Sequence, residues 1–201
     1  MLKFKDQLLH NEVPVFTRLC METPLNEALQ LPPGACYLYV ADGDNHALAR
    51  VPALTATKGT AIISACGLTV GNIISENLKG YMETTIAHFS IDLLQVCFDN
   101  EKPELWEELT TPVTEYVVQT AASELVAFYF SHINQLFENK VAVTNQLLRL
   151  KLKELVLLLL QTESAGPVRQ IVNSLFSEKT FTFKEVVDAH VLTRATVHNL
   201  A

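Results

Sequence analysis

Glycine and proline divide this chain into two regions that follow different rules. Six of its seven glycines lie between Gly34 and Gly80, and no proline occurs between Pro112 and Pro167. Glycine supplies the positive φ that tight turns need, whereas a proline-free tract can carry unbroken helix. The first region therefore reads as strands and turns, and the second as helices. Neither contains an internal repeat or a low-complexity segment.

The sharpest element of the first region is CYLYVADGDNHALARV. Residues 36–41 are rich in aromatic and β-branched side chains, Asp42-Gly43 is a turn pair, and residues 46–51 form the expected return strand. LTATKGTAIISACG repeats the form, with strands at 54–57 and 61–65 about a turn at Lys58-Gly59. NIISEN and YMETTIAHFS supply further strands, and residues 13–21 and 27–31 supply earlier ones. Turn signals every 8–12 residues or so indicate an antiparallel sandwich or small barrel.

From Ile91 the period changes. Residues 91–99 form a short helix, and 115–138 place Val118, Ala122, Leu125, Tyr129, His132 or Ile133, and Leu136 at the spacing of one helical stripe. Asn139-Lys140 marks a break, and residues 144–162 form a second long helix, giving an antiparallel hairpin. Ser164-Ala165-Gly166-Pro167 is read as its stop, with glycine at the C-cap and proline opening the next helix. Residues 168–176 and 183–191 are further short helices. The fold class is α+β: a small antiparallel barrel or sandwich, then a helical hairpin and short C-terminal helices.

The second long helix contains LRLKLKELVLLLLQ, which ends in six consecutive aliphatic residues from Leu155 to Leu160. Six is far short of the roughly 20 that a membrane span requires. Leu148, Leu152, Leu155 and Leu159 form a stripe of coiled-coil type, while Leu147, Leu150, Leu157 and Leu158 lie on other faces. A helix that is apolar all round must be covered on both sides. Either the short C-terminal helices or a second copy of the chain covers the stripe, and the expected dimer interface is Leu148, Leu152, Leu155 and Leu159.

Charge excludes one class of partner for these residues. Residues 1–114 carry 14 acidic and 7 basic side chains, and residues 115–201 carry 8 of each. A surface for nucleic-acid phosphate needs clustered Lys and Arg, and none is present. The cysteines, Cys20, Cys36, Cys66 and Cys97, make no CxxC pair and sit in apolar contexts, so they read as reduced core residues of a cytoplasmic protein. The amino terminus has no signal-peptide core.

Chemistry is sparse. The phosphate-loop and nucleophile-elbow motifs are absent, and the six histidines never fall in HxH or HxxxH spacing. No metal and no cofactor is expected. His46 reads as a surface residue beside a turn, and Glu107-Glu108 and Asp42/Asp44 as solvated acids. The candidate ligand-binding residues are Arg18, Tyr37, Tyr39, Arg50 and His88. His88 is either a core-edge residue with a hydrogen-bond partner or a polar group facing a cavity. Arg18 and Arg50 either clamp an anion or point into solvent. Tyr37 and Tyr39 share one strand face, opposite Cys36, Leu38 and Val40.

Three stretches resemble the AraC/XylS family of bacterial transcription regulators. YLYVADGDNHALARV with LTATKGTAIISACG resembles the cupin-like sensory barrel, and LRLKLKELVLLLLQTESAGPVRQIVNSLFS resembles the helices and linker that follow it. FTFKEVVDAHVLTRATVHNLA resembles the opening of the DNA-binding domain. The resemblance implies a sensory barrel over 1–112, a dimerising hairpin over 113–163, a linker helix over 164–182 and the start of a truncated helix-turn-helix domain over 183–201. It further implies a homodimer that touches DNA only through the missing C-terminal part, and a signal from a small-molecule effector or a protein partner. No membrane partner is expected. Two alternatives remain beside this reading: a metal-free cupin-like isomerase or small-molecule binder, and a module whose partner is a protein.

Overall fold

The computed structural model describes residues 2–23, 34–43, 57–65, 80–99, 117–162 and 165–176. Strand β1 (Leu2–His10) turns through Asn11 and Glu12 into β2 (Val13–Thr23). Both turn residues have positive φ, 47° and 69°. That is the handedness that matches strand twist across a two-residue hairpin. β1 is new relative to the sequence reading, because its alternation is broken by LL at positions 8 and 9, where the pairing also shifts register.

Next come β3 (Ala35–Gly43), β4 (Thr60–Ala65), β5 (Gly80–Phe89) and β6 (Val117–Ala121). Among the described residues they make one six-stranded antiparallel sheet in the order β1-β2-β5-β3-β4-β6. The Lys58-Gly59 turn forms as read, with Gly59 at φ 82° and the Thr60 amide bonded to the Thr57 carbonyl. The turn expected at Asp42-Gly43 does not form. β3 continues through both residues, past an irregularity after Val40, and pairs Gly43 with Met82 of β5. The return strand at 46–51, the strands at 27–31 and 72–77, and all of the strand at 54–57 except Thr57 lie outside the described residues.

Register lines the side chains up in rows. Leu8, Phe16, Ala87, Tyr37, Ile63 and Val118 are successive partners across all six strands. One residue along, Gln7, Thr17, Ile86, Leu38, Ile62 and Gln119 form the neighbouring row on the opposite face. The helices cover the first face.

α1 (Ile91–Cys97) is capped by Ser90, α2 (Glu124–Glu138) by Ser123 and α3 (Asn145–Leu160) by Thr144. In each case the cap hydroxyl accepts a backbone N–H of the first turn, a contribution of about 1 kcal/mol. The single helix expected over 115–138 is thus a strand followed by a helix. Val117, Val118 and Thr120 suit a strand, and β4 supplies the partner. The expected stripe consequently ran out of phase. The buried face of α2 is Val126, Tyr129, Phe130, Ile133 and Phe137, whereas Leu125 and His132 are exposed.

α3 ends at Leu160 with Gln161 as its C-cap, short of the expected stop. Ala165, Gly166 and Pro167 instead form the first turn of α4 (Ala165–Phe176), so Gly166 is no C-cap. Pro167 still sits where its missing N–H costs nothing. The helices expected at 183–191 and from 196 lie outside the described residues.

Candidate functional site

The sheet face away from the helices is apolar and buried: Leu19, Leu38, Val40, Ile62, Met82 and Ile86 are all 0–1% exposed. Polar side chains interrupt it in two places. Gln7 Nε2 donates to Thr17 Oγ1 at 3.2 Å, and Thr17 Oγ1 lies 2.8 Å from His88 Nε2. Beside them, Cys36 Sγ lies 3.8 Å from Ser64 Oγ. Burial, aided by the charge of Lys5, holds the His88 imidazole down at about 4, so it is neutral near pH 7. The Thr17 hydroxyl that accepts from Gln7 can therefore donate to Nε2. Farther along the same face Thr84, fully buried between Leu19 and Val40, has no partner for its hydroxyl among the described residues.

The candidate ligand residues do not converge. Tyr37 and Tyr39 lie on the helix-covered face, their rings stacked on Phe130 of α2 with centroids 5.8 and 4.9 Å away. Arg18 is on that face too, largely shielded from solvent and held by partners within the chain. Its guanidinium pairs with Glu138 of α2 at 2.7 Å and lies 5.2 Å over the Phe137 ring and 5.3 Å over Phe4. Only His88 belongs to the opposite face, where it is a buried histidine with a hydrogen-bond partner. Arg50 is outside the described residues, as is His46. Strand parity placed His88 and Thr84 together in YMETTIAHFS, but nothing in the sequence marked Thr84 as unpartnered.

The leucine stripe is also reassigned. Leu148, Leu152, Leu155 and Leu159 are 0–1% exposed within one chain and belong to the core formed by the sheet and helices. β1, α1, α2 and α4 all contact α3, and Val168 of α4 is fully buried in the same core. The chain's own elements cover the stripe, which leaves it no free surface for a second chain. What the helical hairpin does expose is Leu125 (67%) and Phe128 (77%) on α2, Leu150 (58%) on α3 and Val141 (105%) in the connection between the two helices. Leu125 and Phe128 are one turn apart, hence neighbours on one face. Beside them Lys151 reaches His132 Nδ1 at 3.3 Å and Glu154 at 2.8 Å.

Nucleophile chemistry has little support here. Cys20, Cys36 and Cys97 are free and buried, and burial pushes the thiols of Cys36 and Cys97 up to about 11. Such thiols stay protonated and unreactive. Cys66 lies outside the described residues. No cluster of His, Cys, Asp and Glu able to hold a metal ion occurs among the described residues. No described helix is long and apolar enough to cross a membrane.

An antiparallel sheet with a helical hairpin packed on one face, its opposite face buried and largely apolar, is an α+β arrangement. Residues 35–171, more than half of the chain, match the family described as the ExsA N-terminal regulatory domain, and the chain belongs to that family. It is the N-terminal regulatory domain of an AraC-type regulator, as the sequence resemblance implied. Among solved structures, apo ToxT from Vibrio cholerae strain SCE256 aligns over 97% of this chain and 70% of that one, with 6% identity and a TM-score of 0.47. Wild-type ToxT from the same strain with unsaturated fatty acid bound aligns over 92% and 76%, with 5% identity and a TM-score of 0.43. ToxT from Vibrio cholerae O395 aligns over 92% and 72%, with 9% identity and a TM-score of 0.40. Among curated proteins no sequence match is found.

Proposed function

We propose that this chain receives a signal and dimerises on behalf of an appended helix-turn-helix domain, in a cytoplasmic transcription regulator. Membership in a regulatory-domain family supports the role, and speaks for regulation rather than catalysis. DNA contact falls to the appended domain, since these residues lack a basic surface.

The observation that carries the dimer is the exposure of Leu125 and Phe128 on a hairpin whose other large apolar side chains are mostly committed to the core. Leaving two such side chains in water forgoes roughly 1.5–3 kcal/mol each. A second copy of α2, laid antiparallel about a two-fold axis, buries both at once. The seam therefore moves from the Leu148 stripe to the outer face of the hairpin. Sedimentation equilibrium at tens of micromolar tests this: the wild-type chain should be dimeric, and the Leu125→Ser/Phe128→Ser variant monomeric with an unchanged melting temperature. A monomeric wild type, or a variant that dimerises equally well, would overturn it.

A small-molecule signal has one specific observation in its favour, the unpartnered Thr84 hydroxyl on the buried sheet face. A buried hydroxyl without a partner costs about 1–3 kcal/mol, which an effector with a hydrogen-bonding group recovers. Replacing Thr84 with Val should then stabilise the free domain and abolish its response to the effector.

A further inference from the structure

Adjacent residues of a strand point to opposite faces, so a strand pair packed on both sides can pass a displacement through the sheet. β2 and β5 are such a pair. On the helix side, Arg18 and Thr85 are direct cross-strand partners. The Thr85 hydroxyl donates to Asn134 Oδ1 at 2.7 Å, and Arg18 pairs with Glu138 at 2.7 Å. Asn134 and Glu138 are four residues apart, so both links grip the same face of α2. Immediately behind them, on the other side of the sheet, Leu19 and Thr84 are also direct partners. Thr84 is the residue whose hydroxyl lacks a partner among the described residues.

The two links differ in kind. Glu138 is 66% exposed, so its charge contact with Arg18 is screened by water. Thr85 is fully buried and Asn134 half-buried, so water competes less for their bond. The Arg18 contribution rests more on the stacking of its guanidinium over Phe137. Thr85–Asn134 is the stiffer connection.

The geometry points to the β2–β5 pair as a transmitter that carries a change at Thr84, on the buried sheet face, to the docking face of α2 through Thr85–Asn134 and Arg18–Glu138. The direction of travel, from signal to dimer, rests on the function proposed above; the mechanical link does not. Thr85, Asn134 and Arg18 are positioning residues in this scheme, because they set where α2 carries Leu125 and Phe128 without touching a partner chain.

A double-mutant cycle tests the link without any effector. Thr84→Leu adds bulk to the buried face in place of a ligand, and Thr85→Val/Asn134→Leu removes both partners of the stiff connection. Two quantities are read: the dimer dissociation constant and amide hydrogen exchange along α2. In the otherwise wild-type chain, Thr84→Leu should shift the dissociation constant about 5-fold or more and change exchange across α2. In the Thr85→Val/Asn134→Leu background both effects should vanish, and Thr85→Ser, which keeps the hydroxyl, should retain them. Equal effects in both backgrounds, or none in either, would overturn the proposal. A monomeric wild type removes the dimer reading alone, since exchange along α2 still decides the link. If Thr84→Leu does not fold, Thr84→Ile, which adds less bulk, serves the same comparison at smaller amplitude.

Discussion

Tyr39 of β3 stacks on Phe130 of α2, with ring centroids 4.9 Å apart and planes within 11° of parallel. Tyr37 stacks on the same ring from one strand position away along that face, and Tyr129 meets its edge at 5.4 Å. Phe130 is thus the point where the helical hairpin is seated on the sheet. Replacing Phe130 with Ala removes three ring contacts and leaves a cavity, which should cost about 3–5 kcal/mol. Urea unfolding measures it, and a loss under about 1 kcal/mol would mean that the hairpin is held elsewhere.

His88 gives the fold a defined acid sensitivity. Its imidazole titrates near the ordinary 6.5 in the unfolded chain and near 4 in the fold. Between those values the unfolded state binds more protons, so stability is complete above 6.5, falls as pH drops toward 4, and levels off below. The gap corresponds to about 3 kcal/mol. Urea midpoints for the wild type and His88→Gln, measured over that interval, should differ in slope, with the variant flatter. Parallel slopes would place the sensitivity in another group.

Glu12 occupies a left-handed conformation at φ 69° in the β1–β2 turn, beside Asn11 at φ 47°. Asparagine tolerates that region, but glutamate is strained there. Glu12→Gly makes the preferred Asn-Gly turn and should raise stability by about 0.5–1 kcal/mol despite the added freedom of the unfolded chain. A fall in thermal midpoint would show that Glu12 makes a compensating contact.

Leu155 and Leu150 share α3 but not a fate. Leu155 is fully buried, and Leu150 is 58% exposed. Leu155→Ala should cost about 2–5 kcal/mol, whereas Leu150→Ala should stay within about 0.5 kcal/mol. Chemical denaturation of the two variants at concentrations below dimer formation separates core from surface directly. Equal costs would return the Leu155 stripe to an intermolecular role.

The sequence by itself determined the elements whose signals are local. The glycine turn at Lys58-Gly59, the strands at Val13, Cys36, Ala61 and Tyr81, the helix from Ile91 and the α2–α3 break were all legible, because turn chemistry, β-branching and helical periodicity act over a few residues. The motifs that carried the family resemblance were equally local. Tertiary structure decided the rest. Val117–Ala121 is strand because β4 lies beside it, and once that tract left the helix, the buried face of α2 moved by one residue and put Leu125 and Phe128 in solvent. The same packing settled Leu148, Leu152, Leu155 and Leu159. Periodicity shows that such a stripe must be covered; only the positions of β1, α1, α2 and α4 show by what. Arg18, Tyr37, Tyr39 and His88 looked like one set because all lie on strands, yet strand parity and register send His88 to one face and the others beneath the helices. A side chain's local pattern fixes that it is buried or turned. Which neighbour it meets is a property of register and packing between segments far apart in the chain, and that is why the candidate site, unlike the elements, had to be read from the fold.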